Sequence, residues 1–351
     1  MDINEILRKA VESNASDILI SGGKPPMLRI NGKIQPFGEK SLNSAETKNL
    51  TYSLLSQEQI KKFEKDLELD CSYNIEGLSR FRINVYLQKG SVAVALRPIP
   101  SQAPTLKELL MPEIVSTLAQ RPRGLILVAG PTGCGKSTTT AAIIDFINEE
   151  RHCHIITLED PIEFIHPHKN SVVDQREIGS DTLSFPAALK HIMRQNPDII
   201  FIGEMRDLET IAAALTVAET GHLVLATLHT QDAAQTVDRI IGVFPPYQQQ
   251  QIRMQLSTTL QGVICQQLIP RKDGQGRIAA LEIMVTIPAI CSLVREGKTH
   301  QIYTTMQTGR QFGMVLMDSS LEKLYSQGLI TLEDACAKSS NPEDFRKKLN
   351  R

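Results

Sequence analysis

One segment of the chain has the residue types and spacing of a phosphate-binding loop: Gly130-Pro131-Thr132-Gly133-Cys134-Gly135-Lys136-Ser137. It matches the pattern G-x-x-x-x-G-K-[ST], in which glycines let backbone N–H groups converge on phosphate oxygens at the positive end of a helix. The lysine neutralises the β- and γ-phosphate oxygens, and the serine hydroxyl can ligate Mg²⁺. The sequence therefore predicts that this loop, with Thr138 directly behind it, binds ATP and Mg²⁺.

The surroundings of the loop have the strand–loop–helix order that this motif requires. An apolar run precedes the loop and a helical pattern follows it, and the same alternation continues along the chain. Such a rhythm is typical of a largely parallel sheet whose strands are buried on both faces. The predicted strands are 125–129, 154–158, 199–202 and 223–228, and the helices between them are 137–149, 182–195 and 208–219. Beyond residue 246 we expect mainly helices, apart from a strand at 277–285.

ATP hydrolysis requires more than a phosphate loop, and candidate groups follow the other predicted strands. Glu159-Asp160-Pro161-Ile162-Glu163 comes after one strand, Glu204 after another and His229 after a third. The carboxyl ends of parallel strands meet at one edge of the sheet, where ligands bind in such folds. We therefore predict catalytic roles for Lys136, Glu163 and Glu204. His229 follows its strand at the same edge, and His222 lies at the opposite end of that strand; taken singly, each histidine is more often a structural hydrogen-bonding residue.

The metal-binding strand departs from the usual pattern, in which an aspartate precedes the glutamate. That position is Gly203 in this chain. Either Glu204 takes the metal-side role, directly or through water, or Ser137 and the phosphates hold the Mg²⁺ by themselves. In both cases Glu163 remains available to orient the attacking water, which is the role that we predict for it.

Arginines on two predicted strands of the N-terminal region are candidates to contact the γ-phosphate. Arg80 and Arg82 share one face of a strand, and a hairpin turn at Lys89-Gly90 would place Arg82 opposite Arg97 on the next strand. Like charges directly opposite each other are destabilising, and no acidic residue lies on these two strands, so an anion between them is favoured. A solvated basic face is the alternative. Given the ATP motif, we favour arginine fingers that serve their own chain or a neighbouring one.

The overall composition indicates a two-domain globular protein. The chain has 351 residues, of which 41% are hydrophobic and 22% charged, and its formal net charge is −1. This length exceeds what one hydrophobic core usually supports. A proline-spaced segment at 98–110 predicts a linker between an N-terminal α+β domain, 1–97, and an ATPase domain, 111–351. The near-neutral charge gives no support for nucleic-acid binding. The six scattered cysteines predict neither a zinc site nor disulfides, and the start of the chain lacks a signal peptide, so a cytoplasmic location is expected.

The sequence closely resembles the PilT subfamily of type IV pilus motors, within the type II/type IV secretion ATPase family. The resemblance runs from about residue 16 to about residue 335 and is carried by six segments: SDILISGGKPPMLRINGKI, SRFRINVY, GPTGCGKSTTT, ITLEDPIEF, PDIIFIGEMRDLETI and AETGHLVLATLHT. The later segment AICSLVREGK is similar to the family's AIRNLIRE element, with Cys291-Ser292 in place of Arg-Asn. What that missing arginine does in the family therefore cannot be carried over.

The resemblance implies a PAS-like N-terminal domain and a RecA-like ATPase domain, assembled as a homohexameric ring. Its nucleotide sites would lie between the two domains and be completed by arginines matching Arg80, Arg82 and Arg97. It implies water activation by Glu163, the Walker B role for Glu204, and a place in the polar network for His222 and His229. The Gly203 departure is part of the family's own pattern.

The implied activity is ATP-driven pilus retraction at the cytoplasmic face of the inner membrane, acting on a PilC-like platform protein. Extension and secretion motors of the family usually carry a further N-terminal domain and often a four-cysteine zinc module, neither of which we recognise here. A PilU-like accessory ATPase, which would also be a partner, and a secretion-system assembly ATPase stay open. Two other functions also stay open: a different enzyme, a nucleic-acid translocase, and a non-enzymatic, nucleotide-gated scaffold without turnover.

Overall fold

The chain forms two compact units in a computed structural model that describes residues 2–349. The first unit contains the residues up to Gln102, and the second begins at Ala103. The chain leaves the second unit after Asp160 and re-enters it at His166, so that Pro161–Ile165 belongs to the first unit. This return was not anticipated from the sequence.

The first unit is an α+β arrangement around one antiparallel sheet of six strands, in the order β3-β2-β1-β6-β5-β4. The helices pack on this sheet over a core of apolar side chains that includes Ile6, Ile18, Phe63 and Phe81. The elements are α1 Ile3–Glu12, β1 Asp17–Ile20, β2 Met27–Ile30, β3 Lys33–Pro36, α2 Ser44–Tyr52, α3 Gln57–Asp66, β4 Glu68–Ile75, β5 Ser79–Gln88 and β6 Ser91–Ile99. Strand β6 thus continues into the predicted linker.

Two tight turns set the register of this sheet. Asn31-Gly32 and Lys89-Gly90 both have positive φ at the two central positions, the geometry that matches the twist of a two-residue hairpin. The second turn pairs Gln88 with Ser91 and, further along the ladder, Arg82 with Arg97. The predicted register of the arginine strands is confirmed.

The second unit is built on a seven-stranded sheet in the order β13-β12-β7-β11-β10-β8-β9, parallel except for the β12–β13 pair. Its elements are α4 Glu113–Ala119, β7 Gly124–Ala129, α5 Lys136–Glu150, β8 His154–Glu159, β9 Val172–Glu177, α6 Phe185–Ile192, β10 Ile199–Ile202, α7 Leu208–Glu219, β11 Leu223–Leu228, α8 Ala233–Gly242, α9 Pro246–Thr259, β12 Leu260–Pro270, β13 Arg277–Val285, α10 Pro288–Glu296, α11 Ile302–Thr308, α12 Met317–Ser326, α13 Leu332–Lys338 and α14 Pro342–Leu349. Within residues 2–349, none of these helices has both the length and the apolar character needed to cross a bilayer.

The central strands are apolar along their whole length because helices cover both faces of the sheet. Every residue of β7, β10 and β11 is buried. Their parallel pairing brings the loops after β7, β8, β10 and β11 to one edge, since each strand runs in the same direction. The sheet therefore collects the polar residues that follow these strands.

Strand β12 corrects the expectation that the region beyond residue 246 is helical apart from one strand. It follows α9 without an intervening loop and pairs with β7 on one side and β13 on the other. No glycine or proline separates helix from strand at this point, so the sequence has no punctuation to mark the change. The predicted strand at Arg277–Val285 is confirmed.

The chain's return into the second unit is held by buried polar groups. Asn148 is fully buried; its side chain donates to the carbonyl oxygen of Pro167 at 2.7 Å and accepts from the N–H of Lys169 at 3.1 Å. His166 is 7% exposed, and among the described residues its Nδ1 has no hydrogen-bond partner. Burial lowers the pKa of His166 to about 4; nearby Asp145 opposes this shift and Lys169 adds to it.

We expect His166 to make the protein less stable in mild acid. In the unfolded chain this histidine takes up a proton near pH 6.5, whereas the folded protein keeps it neutral down to about pH 4. The unfolded state therefore binds more protons in this window, and the free energy of unfolding falls as the pH drops through it, by about 1–3 kcal/mol. Urea unfolding of the wild type and H166Q between pH 7.5 and 4.5 measures this. Equal pH dependence in the two proteins would contradict the assignment.

Candidate active site

The phosphate loop connects the buried strand β7 to the first turn of α5. Helix α5 begins at Lys136 after Gly135, and no side chain caps its first N–H groups. Uncapped N–H groups at the start of a helix, together with the helix dipole, favour an anion. The loop therefore has the backbone geometry of a phosphate site.

Two glycines in this loop are required by close packing against β12. A Cβ at Gly130, where φ is +148°, would lie 2.5 Å from the Sγ of Cys134 and 2.5 Å from the carbonyl oxygen of Gln266. A Cβ at Gly135 would lie 3.0 Å from the Nε2 of Gln266. The buried side-chain amide of Gln266 donates to the carbonyl oxygen of Cys134 at 2.5 Å and so helps to hold the loop in place. Gln266 was missed from the sequence because β12 itself was missed.

Lys136 is buried and folded back against its own loop. Its Nζ donates to the carbonyl oxygens of Gly130 at 2.7 Å and Pro131 at 3.1 Å, and lies 3.4 Å from the Nδ1 of His229. Burial lowers the pKa of Lys136, and the charges of Cys134 and Glu204 act in the opposite direction. The ammonium group is thus held at the place where phosphate oxygens would lie.

His229 connects Lys136 to Glu204. Its Nε2 lies 3.0 Å from Oε1 of Glu204, and Arg206 donates to the same oxygen from the other side. With Nδ1 facing the lysine, the neutral tautomer that fits accepts at Nδ1 and donates from Nε2. Burial alone would raise the pKa of Glu204, but the hydrogen bonds from Arg206 and His229 and the charge of Arg206 hold it below its ordinary value.

The placement of Glu204 explains why glycine precedes it. A Cβ at Gly203 would lie 3.2 Å from the carbonyl oxygen of Leu158 and 3.3 Å from Cα of Glu159, tighter than most real contacts. The Oγ1 of Thr227 donates to the carbonyl oxygen of Gly203 at 2.5 Å. The ends of β8, β10 and β11 therefore pack too closely at this point for the usual aspartate.

His222 lies at the other edge of the sheet. It precedes β11 whereas His229 follows it, so the two are separated by roughly 20 Å of strand. Its Nδ1 lies 3.2 Å from the carbonyl oxygen of Val217 and 3.3 Å from the Oγ1 of Thr220. Within this unit the structure brings Lys136, Glu204 and His229 together and leaves His222 apart.

The remaining predicted site residues lie in the first unit, where carboxylates pair with the arginines. Arg97 donates to Oδ1 of Asp17 through Nη2 at 2.7 Å and Nε at 3.1 Å. Nη1 of Arg82 lies 3.8 Å from Oε1 of Glu163. Arg80 donates to the Oγ of Ser72 at 2.7 Å.

These pairs correct the argument that the arginines need an external anion. Asp17 begins β1, the strand beside β6, and Glu163 comes from the Pro161–Ile165 segment. Neither carboxylate lies on the two arginine strands, which is why the sequence pattern did not reveal them. The repulsion between Arg82 and Arg97 is already balanced within this unit.

Ser137 and Glu204 offer suitable ligands for Mg²⁺. Hydroxyl and carboxylate oxygens are the hard donors that this ion prefers, usually alongside water and substrate phosphates. Ser137 is exposed on the first turn of α5, and Glu204 is a carboxylate close enough for its charge to act on Lys136. The donor set fits Mg²⁺ held jointly with a nucleotide.

We expect G203A to lower turnover more than nucleotide affinity. The added Cβ must push β8 and β10 apart by a few tenths of an ångström and so shift Glu204, while the phosphate loop is untouched. Turnover should fall about tenfold or more, and ADP affinity should change less than about threefold. The matched control is G242A, because a Cβ at this helical glycine meets nothing within 4 Å. Equal turnover of the two variants would show that the close packing at Gly203 is unimportant.

Comparison with known proteins places these features in a family context. Residues 1–349 match the family described as type II/IV secretion system protein. The chain is 47% identical to the type IV pilus retraction ATPase PilT of Pseudomonas aeruginosa, over 98% of this chain and 100% of that protein. It is 41% identical to the type IV pilus ATPase PilU of the same organism, over 99% and 91%. Among solved structures, the pilus retraction motor PilT with bound ADP matches with a TM-score of 0.92 and 47% identity, over 99% of both chains.

Proposed function

We infer that this chain, which belongs to the type II/type IV secretion system protein family, is an ATP-hydrolysing motor that drives type IV pilus retraction. The observation that carries the inference is the linked group Lys136–His229–Glu204 at the mouth of the phosphate loop. A loop that only binds nucleotide needs no acidic group linked to its lysine, whereas hydrolysis needs charges placed around the γ-phosphate.

In this proposal the second unit binds the nucleotide. The backbone from Gly130 to Ser137 holds the phosphates, and Lys136 exchanges its two carbonyl partners for phosphate oxygens. Mg²⁺ would be held by Ser137 and, directly or through water, by Glu204. It would supply positive charge to the β- and γ-phosphates. His229 then keeps Glu204 oriented and couples its position to that of Lys136.

The first unit supplies the groups that complete hydrolysis. We propose that Glu163 orients the attacking water and that Arg80, Arg82 and Arg97 neutralise charge developing on the γ-phosphate. The arginines act on their own chain's nucleotide or on a neighbour's. Support comes from their placement on one sheet with Glu163 beside Arg82. His222, at the far edge of its sheet, would serve the polar network of an adjacent subunit's site.

The same proposal includes the assembly and its surroundings. A homohexameric ring of chains, each with a PAS-like and a RecA-like domain, would act at the cytoplasmic face of the inner membrane on a PilC-like platform protein. The similarity to PilT supports this arrangement. The similarity to PilU favours, as a second candidate, an accessory retraction ATPase that works beside a PilT-like partner. Pilus retraction is assayed in a strain that lacks its retraction ATPase and is complemented with this chain. A retraction motor restores retraction, whereas an accessory ATPase alone does not.

We expect E163Q to abolish turnover and keep nucleotide binding. The amide preserves the shape of the side chain but cannot take a proton from water, so kcat should fall about 10²–10⁴-fold. The matched control is E149Q, an exposed carboxylate that likewise lies 3.8 Å from a basic group, here Lys169. Phosphate release and binding of a fluorescent ADP measure the two effects, and near-normal turnover of E163Q would refute the assignment.

Two further readouts of the wild type distinguish the other classes of function. Stimulation of hydrolysis by single-stranded DNA would favour a translocase. A well-formed hexamer in native mass spectrometry that binds ATP without turnover would favour a scaffold.

R97Q and R29Q form a second matched pair, because both arginines bind Asp17. Arg29 reaches it through Nε at 3.1 Å from β2, on the side of β1 away from β5, whereas Arg97 lies directly opposite Arg82. If Arg97 stabilises charge during phosphoryl transfer, R97Q should lower kcat about 10²-fold or more, and R29Q should stay within about threefold of the wild type. Similar losses in both variants would indicate that they act only by freeing Asp17.

A further inference from the structure

The two ends of the segment that carries Glu163 are both hydrogen-bonded to one side chain, Gln175. We define the Glu163 loop as Asp160–Ile165, the six residues through which the chain leaves the second unit, contributes to the first and turns back. Glu159 is the last residue before this loop and His166 is the first after it. Gln175, on the neighbouring strand β9, contacts both.

We propose that Gln175 is a positioning residue for Glu163, acting by closing the base of the Glu163 loop. The proposal rests on the proposed function, in which Glu163 orients the attacking water. Nothing in it requires Gln175 to touch the nucleotide.

The two ends of the amide bind the two ends of the loop. Its Nε2 donates to Oε1 of Glu159 at 3.2 Å, and its Oε1 accepts from the N–H of His166 at 2.8 Å. Strand β9 pairs in register with β8, which places Gln175 beside Thr157, three residues before the loop begins at Asp160. An amide is suited to this position because it is the side-chain group that offers a donor and an acceptor side by side.

Glu159, the hydrogen-bond acceptor directly before the Glu163 loop, is itself held in place. Glu159 is 6% exposed, and the same Oε1 also accepts from the Oγ1 of Thr157 at 2.7 Å. Buried carboxylates need such donors, because an unpaired charge away from water is costly. The hydrogen bond from Gln175 therefore serves the charge of Glu159 as well as the geometry of the loop.

The returning side is equally constrained. His166 is buried and neutral, and Asn148 clamps the residues that follow it. In the first unit, the N–H of Ile165 donates to the carbonyl oxygen of Pro100 at 3.0 Å. With both ends closed by Gln175, the position of Glu163 can vary only through the few residues between Asp160 and Ile165.

Loss of the tie should therefore affect the rate of the chemical step before it affects binding. A shift of about 1 Å in a catalytic group can cost about a hundredfold in rate. The phosphate loop lies after β7, which β11 and β10 separate from β8 in the sheet, and neither of the hydrogen bonds described above for Gln175 reaches this loop. A purely structural role would instead lower the free energy of unfolding, and it would not produce a loss in kcat that leaves KM unchanged.

Three variants test this. Q175L removes both hydrogen bonds. Q175E keeps the acceptor for His166 but sets a second carboxylate against Glu159. The matched control is Q255L, because Gln255 also donates to a glutamate, Glu219, at 3.0 Å, but through a solvent-exposed hydrogen bond. We expect kcat to fall about 10–100-fold in Q175L and Q175E, with KM and fluorescent-ADP affinity within about twofold, and Q255L to match the wild type. Wild-type kcat in a folded Q175L or Q175E would overturn the proposal.

A double-mutant cycle shows whether the effect passes through Glu163. Single-turnover hydrolysis, with enzyme in excess, is compared for E163Q and for E163Q combined with Q175E. If Gln175 acts by positioning Glu163, the second change should alter the residual rate less than about twofold. An undiminished 10–100-fold loss in the E163Q background would overturn the proposal. Near-normal turnover of E163Q alone would refute the role of Glu163 itself. An inactive E163Q together with a fully active Q175E would refute only the positioning role of Gln175, so the two failures are distinguishable.

Discussion

The parallel pairing of β7, β11, β10 and β8 is the constraint on which the candidate site depends. Each strand is buried on both faces, and all four end at the same edge. A reversal of any one of them would carry its polar residues to the opposite edge, as the position of His222 at the start of β11 illustrates. Because the strands are held by burial of their whole length, the site is positioned by the most stable part of the unit.

The close approach of these strand ends also selects the residues around the site. A Cβ at Gly203 would be crowded by the carbonyl oxygen of Leu158, and Gly130 and Gly135, both with positive φ, pack against Gln266 of β12. The polar groups are then linked in series, from Lys136 through His229 to Glu204. Charges in such a chain stabilise one another only while the backbone holds them at hydrogen-bonding distance, so packing and electrostatics cannot be separated here.

Much of the second unit could be predicted because its signals are local. The phosphate loop, the apolar strands and the polar residue after each strand all follow from short-range patterns. The register of Arg82 and Arg97 followed from a two-residue turn for the same reason. What could not be predicted depends on contacts between segments distant in sequence. Strand β12, with Gln266, merges into α9 without a breaker, and Asp17 lies 80 positions from the arginine that it binds.

The partners of the arginines are compatible with a function in which these side chains change contacts. Arg82 and Glu163 are 45% and 52% exposed at a separation of 3.8 Å, and Arg97 is 67% exposed beside Asp17. Ion pairs this exposed contribute about 0–1 kcal/mol, because water competes for both charges. Phosphate oxygens shielded from water bind a guanidinium more strongly, through charge-assisted, paired hydrogen bonds. A nucleotide presented to Arg82 would therefore displace Glu163 from it at little cost. Exchange of Arg82 from Glu163 to the γ-phosphate would couple the proposed base to the proposed arginine fingers, because one guanidinium contacts each in turn.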